Sequence, residues 1–456
     1  MRKFLALFLA LVTVLGCGFG CGKKQLTIDD LAVPTYVDDK SFKMYCDLPP
    51  DMSSMEQMQL YKDLGMTAIP ITEDFFPAGS GAFFTALEIC EELDIDAYIR
   101  AIKGVSEKQT DEPNYFESHF SDIDFRDYPS VKGFYVCDEP TWAQLEDVER
   151  RYLPWFNENY GGEHFEWVLN LFGAQVTTNI KAPDKTAAEY TEYYLGMLDQ
   201  INAPNKVHSI DYYALQYDGK KYWMVDTNVM VYVDAAKRAN AHNVGLAAYV
   251  QTFGGGVSGQ TYRIPESIAD IKWSMYNILS YGASTIKFFG YRDWPQGNLR
   301  CMVTDGVPNE VYYWTKDVIA DVKKIEHVLL AFNWEGVYTN VGSGSRNATN
   351  EAFEIAKARD YVMDKLSGIS GVKSKYDLTV SEFSDGTNDG FMIFNYDDPV
   401  NRERKNKTEI TFEKADGVMY YRNGEPTIEV LGADKVFTVE LDPGEGVFAI
   451  PLYAKK

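Results

Sequence analysis

The sequence predicts an α/β protein, a (β/α)8 TIM barrel followed by a small C-terminal β-sandwich. Strand-like and helix-like patterns alternate eight times between about residues 40 and 335. The strand-like runs are short and almost continuously apolar, as parallel strands covered on both faces must be. Beyond about residue 370 the pattern changes to seven short runs separated by turn residues, which suits an antiparallel sandwich.

The chain opens with Arg2 and Lys3 and an apolar run from Phe4 to Leu15, broken only by Thr13. A basic start and a short apolar stretch form a secretory signal too short to span a bilayer as a helix. Val14-Leu15-Gly16-Cys17 resembles the bacterial lipobox. That resemblance implies removal of residues 1–16, lipidation of Cys17 and a tether over 17–38. The protein is then expected on the extracellular face of the bacterial cytoplasmic membrane, held by its lipid.

The barrel is expected over residues 39–335. Its first unit pairs strand Phe42–Cys46 with helix Ser54–Leu64, and its second Thr67–Ile71 with Phe83–Leu93. The third strand, Asp96–Ile102, leads into a looser segment reaching Tyr128. Val131–Cys137 precedes helix Trp142–Tyr160, and Phe165–Leu171 precedes Ala187–Ile201. Val207–Leu215 is followed by Thr227–Ala241, and Val244–Gln251 by Ile264–Tyr281. The last strand, Ser284–Tyr291, leads to the long helix Val311–Phe332. Helices show apolar residues three and four apart, as at Val318, Val322, Ile325 and Leu329. Polar turns such as Asn240–Asn243 separate the elements. Eight consecutive βα units favour a closed barrel. The competing architecture is a doubly wound sheet split into two lobes.

Residues 336–370 read as a connecting segment, Gly/Ser/Asn-rich over Gly342–Asn350 and helical over Glu351–Leu366. The sandwich is expected over 371–456. Its runs, from Tyr376–Glu382 to Val447–Leu452, are punctuated by Asp385-Gly386, Asn423-Gly424 and Pro443-Gly444.

Across 456 residues, 44 Lys and Arg face 67 Asp and Glu, a formal charge of −23. Phosphate recognition needs a basic footprint, so nucleic acid is excluded as a partner. Five histidines with no paired spacing, and cysteines scattered at 21, 46, 90, 137 and 301, suit neither a transition-metal site nor a disulfide scaffold. No metal and no cofactor are expected. Aromatics make up 14% of the chain; they are core material first and sugar platforms second.

In a (β/α)8 barrel, functional groups project from the C-terminal strand ends. Those ends offer Asp47, then Glu73 and Asp74, then Arg100 and Lys103, then Asp138-Glu139, then Asn170. Tyr213, Gln216 and Asp218 follow the sixth strand, Tyr249 and Gln251 the seventh. Tyr291, Arg292, Asp293 and Trp294 follow the eighth. Carboxylates, amides and aromatics around one mouth suit a saccharide, which has hydroxyls and an apolar ring face. The sharpest signal is Lys132-Gly133-Phe134-Tyr135-Val136-Cys137-Asp138-Glu139-Pro140, an apolar strand ending in two acids and a proline. Crowded acids are costly unless paired or used.

This segment resembles (β/α)8-barrel glycoside hydrolases that carry an acid/base Glu after strand four, preceded by Asn or Asp and often followed by Pro. The resemblance implies Glu139 as general acid/base, Asp138 as its tuning partner and a carbohydrate substrate. The sequence departs from it at strand seven, where a second Glu is the family's nucleophile and Gln251 stands here. Three resolutions remain open: another strand-end acid, Asp293 or Glu73; an Asp-Glu pair similar to that of N-acetylhexosaminidases; or a barrel or solute-binding lipoprotein that binds glycans without cleaving them. Successive strand residues face opposite ways, so the Asp-Glu pair requires a bend or bulge near Cys137–Asp138. Asp47, Glu73, Asn170, Tyr213, Tyr249, Gln251, Tyr291, Asp293 and Trp294 are the substrate-binding candidates.

Overall fold

A computed structural model of the chain describes residues 26–72, 79–101, 105–173, 179–217, 222–223, 228–257, 260–294, 298–345, 347–400 and 402–456. The signal, Cys17, Glu73, Asp74, Lys103 and Asp218 lie outside the described residues. Eight parallel strands form one sheet: β1 (Lys43–Asp47), β2 (Ala68–Thr72), β3 (Asp96–Arg100), β4 (Val131–Asp138), β5 (Glu166–Phe172), β6 (Val207–Asp211), β7 (Gly245–Gln251) and β8 (Ala283–Phe289). Their order is β1-β8-β7-β6-β5-β4-β3-β2. The sheet curls until its edges nearly meet. Thr67, just before β2, donates its N–H to Met44 O at 2.9 Å, and its Oγ1 accepts from Met44 N–H at 2.9 Å.

A helix follows every strand: α1 (Met55–Asp63), α2 (Gly81–Glu92), α3 (Tyr115–Phe120), α4 and α5 (Trp142–Asp147, Leu153–Asn159), α6 (Ala187–Gln200), α7 (Asn228–Ala241), α8 (Ile268–Leu279) and α9 (Glu310–Lys323). Polar caps set several starts. Ser54, Ser80, Asn114, Thr141 and Thr186 each accept from the N–H three residues on.

Some boundaries differ from expectation for local reasons. The single helix expected over Trp142–Tyr160 is two α-helices joined by a π-helical turn, Val148–Tyr152. Pro154 opens α5 without an N–H to give, so the ladder adjusts ahead of it. The long helix expected to end at Phe332 breaks after Lys323 and resumes as α10 (Glu326–Leu329). Strand β6 ends at Asp211, four residues before the expected Leu215, because its ladders to β5 and β7 stop there.

Alternate strand residues fill the barrel interior. At its N-terminal end Lys43 meets Glu166 and Tyr98; Tyr98 donates to Glu166 at 2.7 Å and Asn205 donates to it at 3.0 Å. Tyr45, Ala68, Tyr98, Tyr135 and Val168 form an interior cluster. Gly133 is needed on β4, since a Cβ there would sit 2.2 Å from Glu166 O.

The C-terminal part is β-rich. A six-stranded sheet runs β9-β11-β12-β17-β14-β15, where β9 is Asn333–Asn340, β11 Leu378–Ser384, β12 Asp389–Asn395, β14 Gly417–Arg422, β15 Glu425–Val430 and β17 Gly446–Leu452. A three-stranded sheet pairs β10 (Ile369–Ser374), β13 (Asn406–Phe412) and β16 (Val436–Leu441). Val380, Ile393, Ile410, Phe437 and Val447 from both sheets share one apolar cluster. Strand β9 crosses the boundary expected at 335. The connecting helix is α11 (Asn347–Ala358), shorter than Glu351–Leu366 because Asp360 takes a left-handed φ of 57° beyond its end. Trp273 of α8 packs on Phe394 and Tyr396, joining this part to the barrel. Among the described residues no helix is long and apolar enough to cross a membrane.

Candidate active site

Three strand ends converge on one guanidinium. Arg100, ending β3, donates to Asp47 Oδ1 at 2.9 Å and to Asp138 Oδ2 at 2.7 Å. Its guanidinium lies 4.4 Å from the Tyr135 ring centre. Asp138 Oδ1 accepts from Tyr135 OH at 3.0 Å and from Asn170 Nδ2 at 3.1 Å. Asn170 Oδ1 accepts from Ser209 Oγ at 2.7 Å. The other oxygen of Asp47 accepts from Tyr249 OH at 2.5 Å. Asp47 is buried, whereas Asp138 is partly open, its side chain 39% exposed.

The local backbone explains how two adjacent acids serve one mouth. Pairing of β4 with β5 skips Val136, a bulge that brings Tyr135 and Asp138 to the same face. Glu139 follows with a φ of 48°, and its N–H donates to Asn170 O at 2.9 Å. Left-handed backbone at a non-glycine residue costs on the order of 1 kcal/mol and persists where the surroundings enforce it. Tyr190 OH holds the turn by donating to Pro140 O at 2.6 Å. Leu48, directly after Asp47, is left-handed too, with a φ of 54°.

Thus directed, the Glu139 carboxyl hydrogen-bonds to Asp211, the last residue of β6. Burial, then the negative charges of Asp211 and Asp138, push Glu139 far above the usual carboxylate range. Burial, followed by Asp138, also raises Asp211, while the hydrogen bond from Glu139 and the charge of Lys287 oppose that rise. The pair therefore holds one proton where isolated acids hold none, with Glu139 as donor to Asp211.

Of the expected site residues, Asp47, Asp138, Glu139, Asn170 and Tyr249 come together in this network. Tyr213 is half-buried at its edge, its ring 5.9 Å from Tyr249 and 5.0 Å from Phe253. Short strands from the segments after β6, β7 and β8 form a small antiparallel sheet there: Gln216–Tyr217, Tyr222–Trp223, Gly254–Val257, Gln260–Tyr262 and Leu299–Arg300. Tyr291 lies elsewhere, fully buried against Tyr61 of α1 at 5.2 Å. Asp293 organises a loop, accepting from Cys301 N–H at 2.7 Å and Thr304 Oγ1 at 2.8 Å. Trp294 is partly exposed and bridges to Leu299.

Gln251 is buried and occupied by backbone. Its Oε1 accepts from Leu215 N–H at 3.0 Å, and its Nε2 donates to the carbonyls of Leu215, Phe253 and Arg263 at 3.0–3.3 Å. Gln251→Glu is therefore expected to create no nucleophile and to cost roughly 2–4 kcal/mol, since carbonyls lose their donor and a charge is buried. Urea denaturation beside an activity assay checks this; a stable variant with new activity would contradict it.

Asp211 and Lys287 were not among the expected residues. Asp211 reads as strand interior when β6 is extended to Leu215. The same-face series Val207, Ser209, Asp211 is its sequence signal. The signal for Lys287 is a lone cation inside the run Ile286–Phe289. Among the described residues no three His, Cys, Asp or Glu side chains are grouped to hold a metal ion.

No protein-family model matches the chain, and no curated protein matches it in sequence. Solved structures are similar to it in fold. A protein described as a glycoside hydrolase is similar over 90% of this chain and 92% of its own, at 11% identity and a TM-score of 0.50. A GH42 β-galactosidase from G. stearothermophilus covers 92% and 99% at 8% identity and a TM-score of 0.47. A β-galactosidase from Rahnella sp. R3 covers 92% and 99% at 9% identity and a TM-score of 0.47. At such identities the likeness is one of fold: a barrel of the kind found in glycoside hydrolases, with β-rich C-terminal sheets.

Proposed function

We propose that the protein is a glycosidase acting on an oligo- or polysaccharide, with Glu139 as its general acid/base. The observation that carries this reading is the hydrogen-bonded pair of Glu139 and Asp211 at the C-terminal end of the barrel. An acid that keeps its proton at neutral pH beside a second carboxyl is what protonation of a glycosidic oxygen requires. Glu139 gives its proton to the leaving oxygen as the bond to the anomeric carbon breaks. It then takes a proton from the water that completes hydrolysis. Asp138, fixed by Arg100, Tyr135 and Asn170, sets a negative charge beside the positive charge that develops on the sugar. Asp211, hydrogen-bonded to Glu139, tunes the proton donor; it is too near Glu139 to be the nucleophile, which retaining enzymes hold ~5–5.5 Å from the acid/base. The aromatic wall at Tyr213 suits a sugar ring face, and the two C-terminal sheets, with their shared core, read as a β-sandwich companion. The basic and apolar start and Cys17 support a position outside the cytoplasmic membrane on a lipid anchor.

The test is product release from a panel of glycans and chromogenic glycosides by the wild type and by Asp211→Asn. Release that falls at least ~10²-fold in the variant supports the reading. Binding of a glycan without release from any substrate would instead identify a silent carbohydrate-binding barrel.

A further inference from the structure

Lys287 is fully buried in the barrel interior, two residues below the end of β8. Its Nζ lies 4.3 Å from the Tyr249 ring centre, 5.0 Å from that of Tyr135 and 5.2 Å from that of Tyr45. It donates to Ser209 Oγ at 3.1 Å. Its partners lead upward to carboxylates. Tyr249 donates to Asp47, Tyr135 to Asp138, and Ser209 to Asn170, which donates to Asp138. A buried ammonium surrounded by rings is expensive, and an apolar side chain would fill the space more cheaply.

We propose that Lys287 is a positioning residue for the acid pair: a fixed counter-charge under the mouth that sets how tightly Glu139 and Asp211 hold their proton. The inference rests on the reading of Glu139 as proton donor. The charges that act on Lys287 are Asp47, Asp138, Arg100 and Asp211, and Tyr45, Tyr135 and Tyr249 surround it. Asp211 lies two residues beyond Ser209, the partner of Lys287, on the same face of β6. The groups that interact electrostatically with the pair are Asp138, Asp47, Tyr190, Tyr213 and Tyr262. Burial lowers Lys287 to about 8, which leaves it mainly charged at neutral pH. Its cation holds the pair's proton affinity below the level that burial and Asp138 would otherwise impose.

The experiment reads protons rather than turnover, so it stands even if no substrate is found. Protein labelled with 13C at aspartate side-chain carboxyls is titrated by NMR, and the Asp211 signal is assigned by its loss in Asp211→Asn. Lys287→Gln keeps a donor for Ser209 but removes the charge. The Asp211 midpoint, which falls below that of Lys287, is expected to rise by about one pH unit in Lys287→Gln and in Lys287→Met. A merely structural role predicts that the glutamine restores the wild-type midpoint, and that result overturns the proposal. Should neither variant fold, wild-type protein labelled at lysine Cε decides. A Lys287 signal titrating near pH 8 supports the counter-charge, and a lysine already neutral at pH 6 overturns it.

Discussion

Replacing Glu139 with glutamine is expected to lower glycoside turnover by roughly 10²–10⁴-fold while leaving the fold intact. The amide has the shape of the protonated acid and keeps an N–H to donate to Asp211, so the turn at φ 48° has no reason to move. The same substitution carries a stability signature of opposite sign. In the unfolded chain Glu139 releases its proton near pH 4.3. In the folded chain burial and the neighbouring acids keep the proton to much higher pH. Across that window the folded state binds more protons, so its stability falls as pH rises. Glutamine removes this penalty. Glu139→Gln should therefore match the wild type near pH 4 and exceed it by roughly 1–3 kcal/mol near pH 8. Urea unfolding at both pH values and a kcat measurement check the two halves separately. Undiminished turnover would sink the proton-donor role. A variant that loses stability at alkaline pH would sink the account of the acid pair.

The fold was legible because its signals are local and repeated. Parallel strands covered on both faces leave apolar runs, and helices show their stripe, so eight units stand out in the chain. The motif at Asp138-Glu139 was legible for a related reason: two acids and a proline cannot continue a buried strand. What was not legible depends on where a ladder stops. Nothing in Asp211-Tyr212-Tyr213 marks the end of β6 at Asp211, because Ala214 and Leu215 prolong the apolar run. The end is fixed by pairing with β5 and β7, a tertiary fact. The same holds for Gln251, whose amide reads as a ligand contact until its partners prove to be the backbone of Leu215, Phe253 and Arg263. Tyr291 illustrates the rule for aromatics, since its ring is packing against α1.

The site depends on bridging charge as much as on the acids, which makes Arg100 the most sensitive position for folding. Arg100→Met is expected to cost about 3–5 kcal/mol and to abolish turnover. Asp47 is the reason. It is 3% exposed, and without the guanidinium only Tyr249 OH remains among its side-chain partners described here. A buried carboxylate left without its cation costs more than the pair contributes, because its hydration is not recovered. Asp138 suffers less, being half open and still held by Tyr135 and Asn170. Arg100→Lys should rescue little, since a single ammonium cannot span two carboxylates in the planar fork that Arg100 uses. The discriminating measurement is a double-mutant cycle with Asp47→Asn. If the cost lies in the stranded charge, Arg100→Met with Asp47→Asn recovers at least about 2 kcal/mol over Arg100→Met alone. If the two losses simply add, Arg100 stabilises through its stacking on Tyr135 and not through Asp47. Turnover should remain lost in the double variant in either case, because Asp138 has lost one of the three donors that fix it beside the charge developing on the sugar.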